Sequence, residues 1–142
     1  MTVLLDDHLL RDWLAGPDDA LREAAGDHDR ATTNLWYARL CRSAAAQRGG
    51  ALLAGWSPSE RDVIVGALVA LPVEFVVTPM RELAWRMGVL ASEHHGLSAL
   101  GAEAVAAAEA RGATVLVSSR DDGPGIRRCC AAVGVRYRNV AR

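Results

Sequence analysis

The 142-residue chain contains no lysine; all sixteen of its basic residues are arginine. It has one Phe, two Ile and two Asn, against 26 Ala. That bias reads as the codon usage of a GC-rich genome, so the arginines alone do not argue for nucleic-acid binding. The formal net charge is −1, which gives no global drive toward a polyanion or an anionic membrane. No apolar run reaches the roughly 18 residues that a membrane-spanning helix needs. The first residues run into Asp6 and Asp7 without a basic start, unlike a secretory leader. Three cysteines are an odd count, and Cys129 and Cys130 are adjacent, which predicts reduced thiols and a cytoplasmic protein. No repeat or low-complexity linker divides residues 1–142, so one domain with one core is expected.

Charge is instead separated along the chain. Residues 1–30 hold eight acids and three Arg, whereas residues 111–142 hold seven Arg and two acids. The two ends either attract each other in the fold or form an acidic and a basic surface.

Short apolar runs alternate with helical patterns. Residues 2–5 are apolar and end in Asp6-Asp7, as a buried parallel strand would. Leu9, Leu10, Trp13 and Leu14 follow at helical spacing up to Gly16-Pro17, and Asp18 can cap a second short helix. Residues 27–30 read as a loop. Thr32 or Thr33 can cap a long helix that carries Leu35, Trp36 and Leu40 and ends at Gly49-Gly50. Ser57-Pro58-Ser59-Glu60 has the Ser cap, the Pro at the first helical position and the Glu three residues later of a strong helix start. Residues 73–77 read as a strand. A helix from Thr78-Pro79 to Gly96 and an Ala-rich one from Ser98 to Gly112 come next, and residues 115–117 form another buried strand. A polar loop over 119–125, a short helix over 126–133 and an alternating edge strand over 135–138 complete the chain. The alternation predicts a three-layer α/β/α fold with a central, mainly parallel sheet. Any site should lie past the carboxyl ends of the strands, at Asp6-Asp7-His8, Thr78 and Ser118 to Asp122.

Val3-Leu4-Leu5-Asp6-Asp7-His8, His95-Gly96-Leu97-Ser98-Ala99-Leu100-Gly101-Ala102 and Gly112-Ala113-Thr114-Val115-Leu116-Val117-Ser118-Ser119-Arg120 resemble, in order, three blocks of the PIN domain family. That family includes the toxin ribonucleases of bacterial VapBC-type modules, and the resemblance covers nearly the whole chain. It implies three or four carboxylates gathered at the C-terminal edge of the sheet around Mg²⁺ or Mn²⁺, which activates water and steadies the phosphate being cut. Matched position by position, Asp6 keeps the first acid. The second falls on Arg39, and no acid occurs between Arg30 and Glu60. The third falls on Gly101 and the fourth on Arg120, with Asp121 one step on; His8 stands where the family has Asn.

Two functions follow from that pattern. One is a PIN-like protein with a degenerate metal site and no cofactor. It is a non-catalytic binding or toxin–antitoxin-type module, with a homodimer, a small antitoxin-like protein or RNA as its partner. Any RNA would be held by Arg39, Arg120, Arg127 and Arg128. The other is an active Mg²⁺- or Mn²⁺-dependent endoribonuclease with a shifted acidic site, with Asp6, Asp7 and Asp121 catalytic, Asp122 a possible fourth carboxylate, and Asp6 the metal ligand. An Arg39 or Arg120 guanidinium paired with Asp6 is expected in the first case. Glu103 sits two residues from Gly101, about 200° round a helix, and is expected to face away from the site. His94-His95 reads as a helix C-terminus, and Cys129-Cys130 as core. Trp13, Trp36 and Trp85 lie on apolar helix faces and are expected in the core. Trp56 is a helix staple or part of a partner surface. The apolar positions from Leu52-Leu53 through Leu71 exceed what one small core needs, which favours association.

Overall fold

The structure, a computed structural model, describes residues 1–46 and 50–142. Five strands among these residues form one parallel sheet: β1 (Thr2–Leu5), β2 (Asp29–Thr32), β3 (Phe75–Val77), β4 (Ala113–Ser118) and β5 (Tyr137–Val140), in the order β3-β2-β1-β4-β5. Strand β1 is central, with Leu4 opposite both Ala31 and Val115. Among the described residues, seven helices surround the sheet: α1 (Asp7–Ala15), α2 (Asp19–Ala25), α3 (Asn34–Ala45), α4 (Pro58–Val69), α5 (Met80–Glu93), α6 (Ala99–Arg111) and α7 (Pro124–Val133). This is the expected three-layer α/β/α arrangement.

The period-two alternation of the strands splits the core into two layers. Val3, Leu5 and Leu116 pack with Leu9, Leu10, Leu40, Ile64 and Leu68 on one face. Leu4, Val115 and Val117 pack with the Ala-rich face of α6, Leu83, Leu90 and the two cysteines of α7 on the other. Those cysteines are buried and reduced, and burial pushes the Cys130 thiol up to about 12.

The caps follow the sequence closely. Asp18, Thr33, Ser57 and Ser98 each accept a backbone N–H of the helix they open, and Ser57 with Glu60 completes a capping box. Gly112 closes α6 in the left-handed region, at φ 60° and ψ 32°, where a side chain would be strained. The charge asymmetry resolves partly into intramolecular contacts: Arg142 reaches both Asp12 and Asp18.

Several expectations are corrected. Residues 27–30 are not simply a loop, because β2 starts at Asp29; its two outer residues are polar, which hid the buried Ala31 and Thr32. The third strand is limited to Phe75–Val77, and the last lies at Tyr137–Val140, two residues later than expected. Helix α3 stops at Ala45; Gly49 falls outside the described residues. Helix α5 stops at Glu93 rather than Gly96, with His94 at its C-cap. Trp36 is core, but Trp85 is 86% exposed, because the core-facing side of α5 is set by Leu83 and Leu90. Trp13 and Trp56 are half-buried, covered by the guanidiniums of Arg30 and Arg11 at 4.6 and 5.2 Å. Leu52, Leu53, Ile64 and Leu68 are absorbed by the chain's own core, which weakens the argument from surplus apolar surface.

Candidate functional site

The central strand delivers Asp6 to the C-terminal edge of the sheet. Asp6 is extended, at φ −68° and ψ 177°, and caps α1 by accepting Leu9 N–H at 2.8 Å on Oδ1. Its Oδ2 accepts Ser118 N–H at 2.7 Å, so one carboxylate ties the end of β1 to the end of β4. Burial pushes its pKa up to about 7, against the pull of those two N–H groups.

Asp7 opens α1 and is fully buried. Its Oδ2 pairs with Arg39 Nε, and its Oδ1 lies 3.1 Å from His8 Nδ1. Asp6, expected to pair with an arginine, instead caps the helix, and Asp7 pairs with Arg39. Adjacent residues at a strand-to-helix turn point in different directions, and only the second lies on the face of α1 turned toward α3. Arg39 reaches on to Asp121, with Nη2 at 2.9 and 3.2 Å from its two oxygens. His8 Nδ1 reaches Asp121 Oδ2 at 2.8 Å.

One ligating atom from each of Asp6, Asp7, His8 and Asp121 can be chosen so that all lie within 4.8 Å of one another. Asp121 and Asp7 push the His8 imidazole up to about 9, so it is a cation at neutral pH. Burial raises Asp7. Burial also acts to raise Asp121, but its bonds to His8 and Arg39 outweigh this and hold it well below the usual carboxylate range.

The three proposed acids thus converge, and Arg39 joins them. The expected pairing of Arg39 or Arg120 with Asp6 is not what the structure contains: Arg39 bonds Asp7 and Asp121, and Arg120 is exposed. Asp122 turns away, accepting from Tyr137 Oη at 2.6 Å and Asn139 Nδ2 at 3.0 Å. Arg127 pairs with Asp122 and lies over the Tyr137 ring, on the β5 side. Arg128 lines a cavity of about 440 Å³ that Trp36, Arg39, Gly101 and Asp121 also line. A second cavity, of about 470 Å³, is lined by His8, Arg39 and Arg42, so the Arg39 side chain borders both.

Two residues escaped the sequence reading. His8 was only a departure from a family pattern, yet an imidazole placed directly after two acids at a strand end is itself a signal of pairing. Glu103 is fully buried, and all its hydrogen bonds go to the start of α3. Oε2 accepts Asn34 N–H at 2.8 Å and Asn34 Nδ2 at 2.6 Å, and Oε1 accepts Leu35 N–H at 2.8 Å. Its signal was that it is the sole charge within eight buried residues of α6.

No family model and no curated protein matches the chain. Solved structures do. A chain of "Structure of FitAB bound to IR36 DNA fragment" is similar at TM-score 0.59 and 15% identity, over 96% of this chain and 94% of that one. A chain of FitAcB from Neisseria gonorrhoeae is similar at TM-score 0.56 and 16% identity, over 95% of each. FitB is a PIN domain, and with β1 central, β4 beside it and acids at their carboxyl ends, this chain has the PIN-domain fold.

Proposed function

We propose that this chain is a PIN-fold binding module of toxin–antitoxin type, in which an internal cation stands where an active nuclease would hold a metal. The observation that carries the reading is the Arg39 guanidinium bridging Asp7 and Asp121. Five of the six carboxylate oxygens of Asp6, Asp7 and Asp121 accept from two backbone N–H groups, the His8 imidazole or Arg39, and the sixth, Asp7 Oδ2, is held in the ion pair with Arg39. The charges of Asp7 and Asp121 are balanced by Arg39 and protonated His8, and Asp6 is partly neutral near pH 7. A divalent ion prefers two or more free carboxylates and would meet a guanidinium and an imidazolium at close range. The donor set as arranged does not fit Mg²⁺ or Mn²⁺.

The similar solved structures support a partner. FitB is the toxin of a pair, and its complex with FitA is bound to DNA in one of them. By that likeness the partner proposed here is a small antitoxin-like protein, with a homodimer as the framework that presents two copies of the site.

A second reading is a nuclease in which Arg39 swings aside, and the close grouping of three acids favours it. Titration with Mn²⁺ separates the two. A ligand bound only by the native state at 100 times its Kd adds about 2.7 kcal/mol of stability. The wild type is expected to show no such shift at millimolar Mn²⁺ and to leave RNA intact. Mn²⁺-dependent cleavage that disappears in Asp6→Asn would replace the binding reading with the nuclease one.

A further inference from the structure

We infer that the cleft between α2 and β5, at the amino-terminal edge of the sheet, binds a small organic phosphate monoester. It lies at the opposite end of the strands from the acidic cluster. Val3, Thr114 and Arg136 line it near the starts of β1, β4 and β5, whereas Asp6 and Asp121 follow the carboxyl ends of β1 and β4. Its volume is about 310 Å³, at the lower end of small-ligand pockets, which suits a phosphate on a body of a few carbons. Val3 and Ala24 give that body an apolar wall, and His28, in the turn after α2, adds a ring nitrogen beside it.

The basic excess of residues 111–142 supplies the charge. Arg142 is neutralised by Asp12 and Asp18, and Arg127 by Asp122. Arg136 and Arg138 are not so matched. The Arg136 guanidinium donates to the Met1 sulfur, a weak acceptor, and the Arg138 guanidinium has no hydrogen bond or ion pair among the described residues. Both line the cleft, two residues apart, and no acid is in its lining. Two guanidiniums side by side repel each other until an anion lies between them.

Thr114 is the independent observation. It sits opposite Val3 in the sheet, on the apolar layer that holds Val3 and Leu116, and is only 8% exposed. The other buried threonines all use their hydroxyls: Thr32 donates to the Leu5 carbonyl, Thr33 accepts Trp36 N–H and Thr78 accepts from Arg111. The Thr114 hydroxyl has no partner among the described residues, and Thr114 lines the cleft. A buried hydroxyl left unpaired is costly, so its place here is explained by a ligand that bonds it. Two guanidiniums and one hydroxyl match the three terminal oxygens and the charge near −2 of a phosphate monoester; one carboxylate would balance only one arginine.

The test is calorimetric titration of the whole chain with glycerol 3-phosphate, inorganic phosphate and succinate. Glycerol 3-phosphate is expected to saturate with a Kd of about 1 mM or tighter, and the other two to bind several-fold more weakly. Arg136→Ala and Arg138→Ala, at exposed positions, should each weaken it about tenfold, whereas Arg128→Ala, at the other end of the strands, should change it less than about twofold. Thr114→Val keeps the branched shape on an apolar layer, so it should weaken binding about fivefold while the melting temperature holds or rises. No saturation by glycerol 3-phosphate, equally tight binding of succinate or inorganic phosphate, or equal loss in Arg128→Ala and Arg138→Ala overturns the inference. None of these results bears on the acidic cluster, so the binding-module reading stands or falls separately, on Mn²⁺.

Discussion

Two regions of this molecule bury carboxylates, and they satisfy them by different means. Glu103 is met by main-chain N–H groups at the start of α3 and by Asn34, which also donates to the Thr78 carbonyl at 2.7 Å. Asp7 and Asp121 are met by the side chains of Arg39 and His8, which border open cavities. Main-chain donors cannot leave without unwinding a helix; a guanidinium on a flexible stem can. The Glu103 region is therefore a fixed joint between α6 and α3, while the Asp7–Asp121 region is an adjustable one. The first positions the helix that carries Arg39, and the second is where a ligand or a substitution can act.

The fixed joint should cost more to remove than the adjustable one. Glu103→Ala leaves the N–H groups of Asn34 and Leu35 unpaired in the interior, each costing about 1–3 kcal/mol, so a loss of about 4 kcal/mol is expected from urea unfolding. Glu103→Gln should recover about half, because one amide oxygen can still accept the two Asn34 donors. Arg39→Met should cost about 2–3 kcal/mol at pH 8, less than a fully buried pair, because the Arg39 side chain is 38% exposed. That cost should shrink toward pH 5, where a deprived Asp7 takes up a proton. A larger loss for Arg39→Met than for Glu103→Ala reverses the assignment of joint and adjustable site.

The fold was legible in the sequence because its signals are local. The apolar runs of β1 and β4, the Ser57 capping box and the Ser98-to-Gly112 bounds of α6 each involve neighbouring residues and basic stereochemistry. Strand β2 was not legible, since Asp29 and Arg30 are polar and its pairing to Val3 is a long-range event. The candidate site was legible in its members but not in its wiring. Asp6, Asp7 and Asp121 follow from strand ends, and Arg39 from a position on α3. Which aspartate meets Arg39 depends on how α1 leaves β1, a matter of tens of degrees that residue types do not encode. Glu103 was read from helical angle alone, which placed it away from the acids but did not reveal that another helix begins there.

The adjustable region should also be the one that responds to pH. Folding raises His8 from 6.5 to about 9, so the native state holds the proton more tightly than the unfolded chain does. The resulting stability is fully present below pH 6.5 and is lost as pH rises through about 9. A decline of about 2 kcal/mol between pH 6.5 and 9 is expected, and His8→Gln should flatten most of it. Thiols ionising in the unfolded chain near pH 9 contribute equally to both proteins and cancel in the difference. Asp6 adds a decline in the same direction at lower pH, from 3.8 to about 7. A flat profile for the wild type above pH 6.5 would mean that His8 does not share its proton with Asp7 and Asp121.

The smallest stability effect should come from Gly101→Asp, at the wall between the two regions. Position 101 is the third residue of α6 after the Ser98 cap, where a carboxylate is favoured by the helix dipole by about 0.3–1 kcal/mol. Replacing a helical glycine regains a few tenths of a kcal/mol more. Against this, the new Cβ lies 2.9 Å from Leu97 Cδ1, the far end of a flexible, half-buried side chain that can rotate away. The net change should lie within about 1 kcal/mol, read from urea midpoints. The added carboxylate enters the wall shared with Arg39 and Asp121, so it competes with Asp121 for the guanidinium. Combined with Arg39→Glu, the same substitution offers two new acids where one cation stood, and Mn²⁺ should then stabilise the double variant by several degrees in melting temperature. If Gly101→Asp instead unfolds the protein, the wall at α6 is as fixed as the Glu103 joint two residues on, and the division between rigid and adjustable regions runs through α7 rather than between α6 and α1.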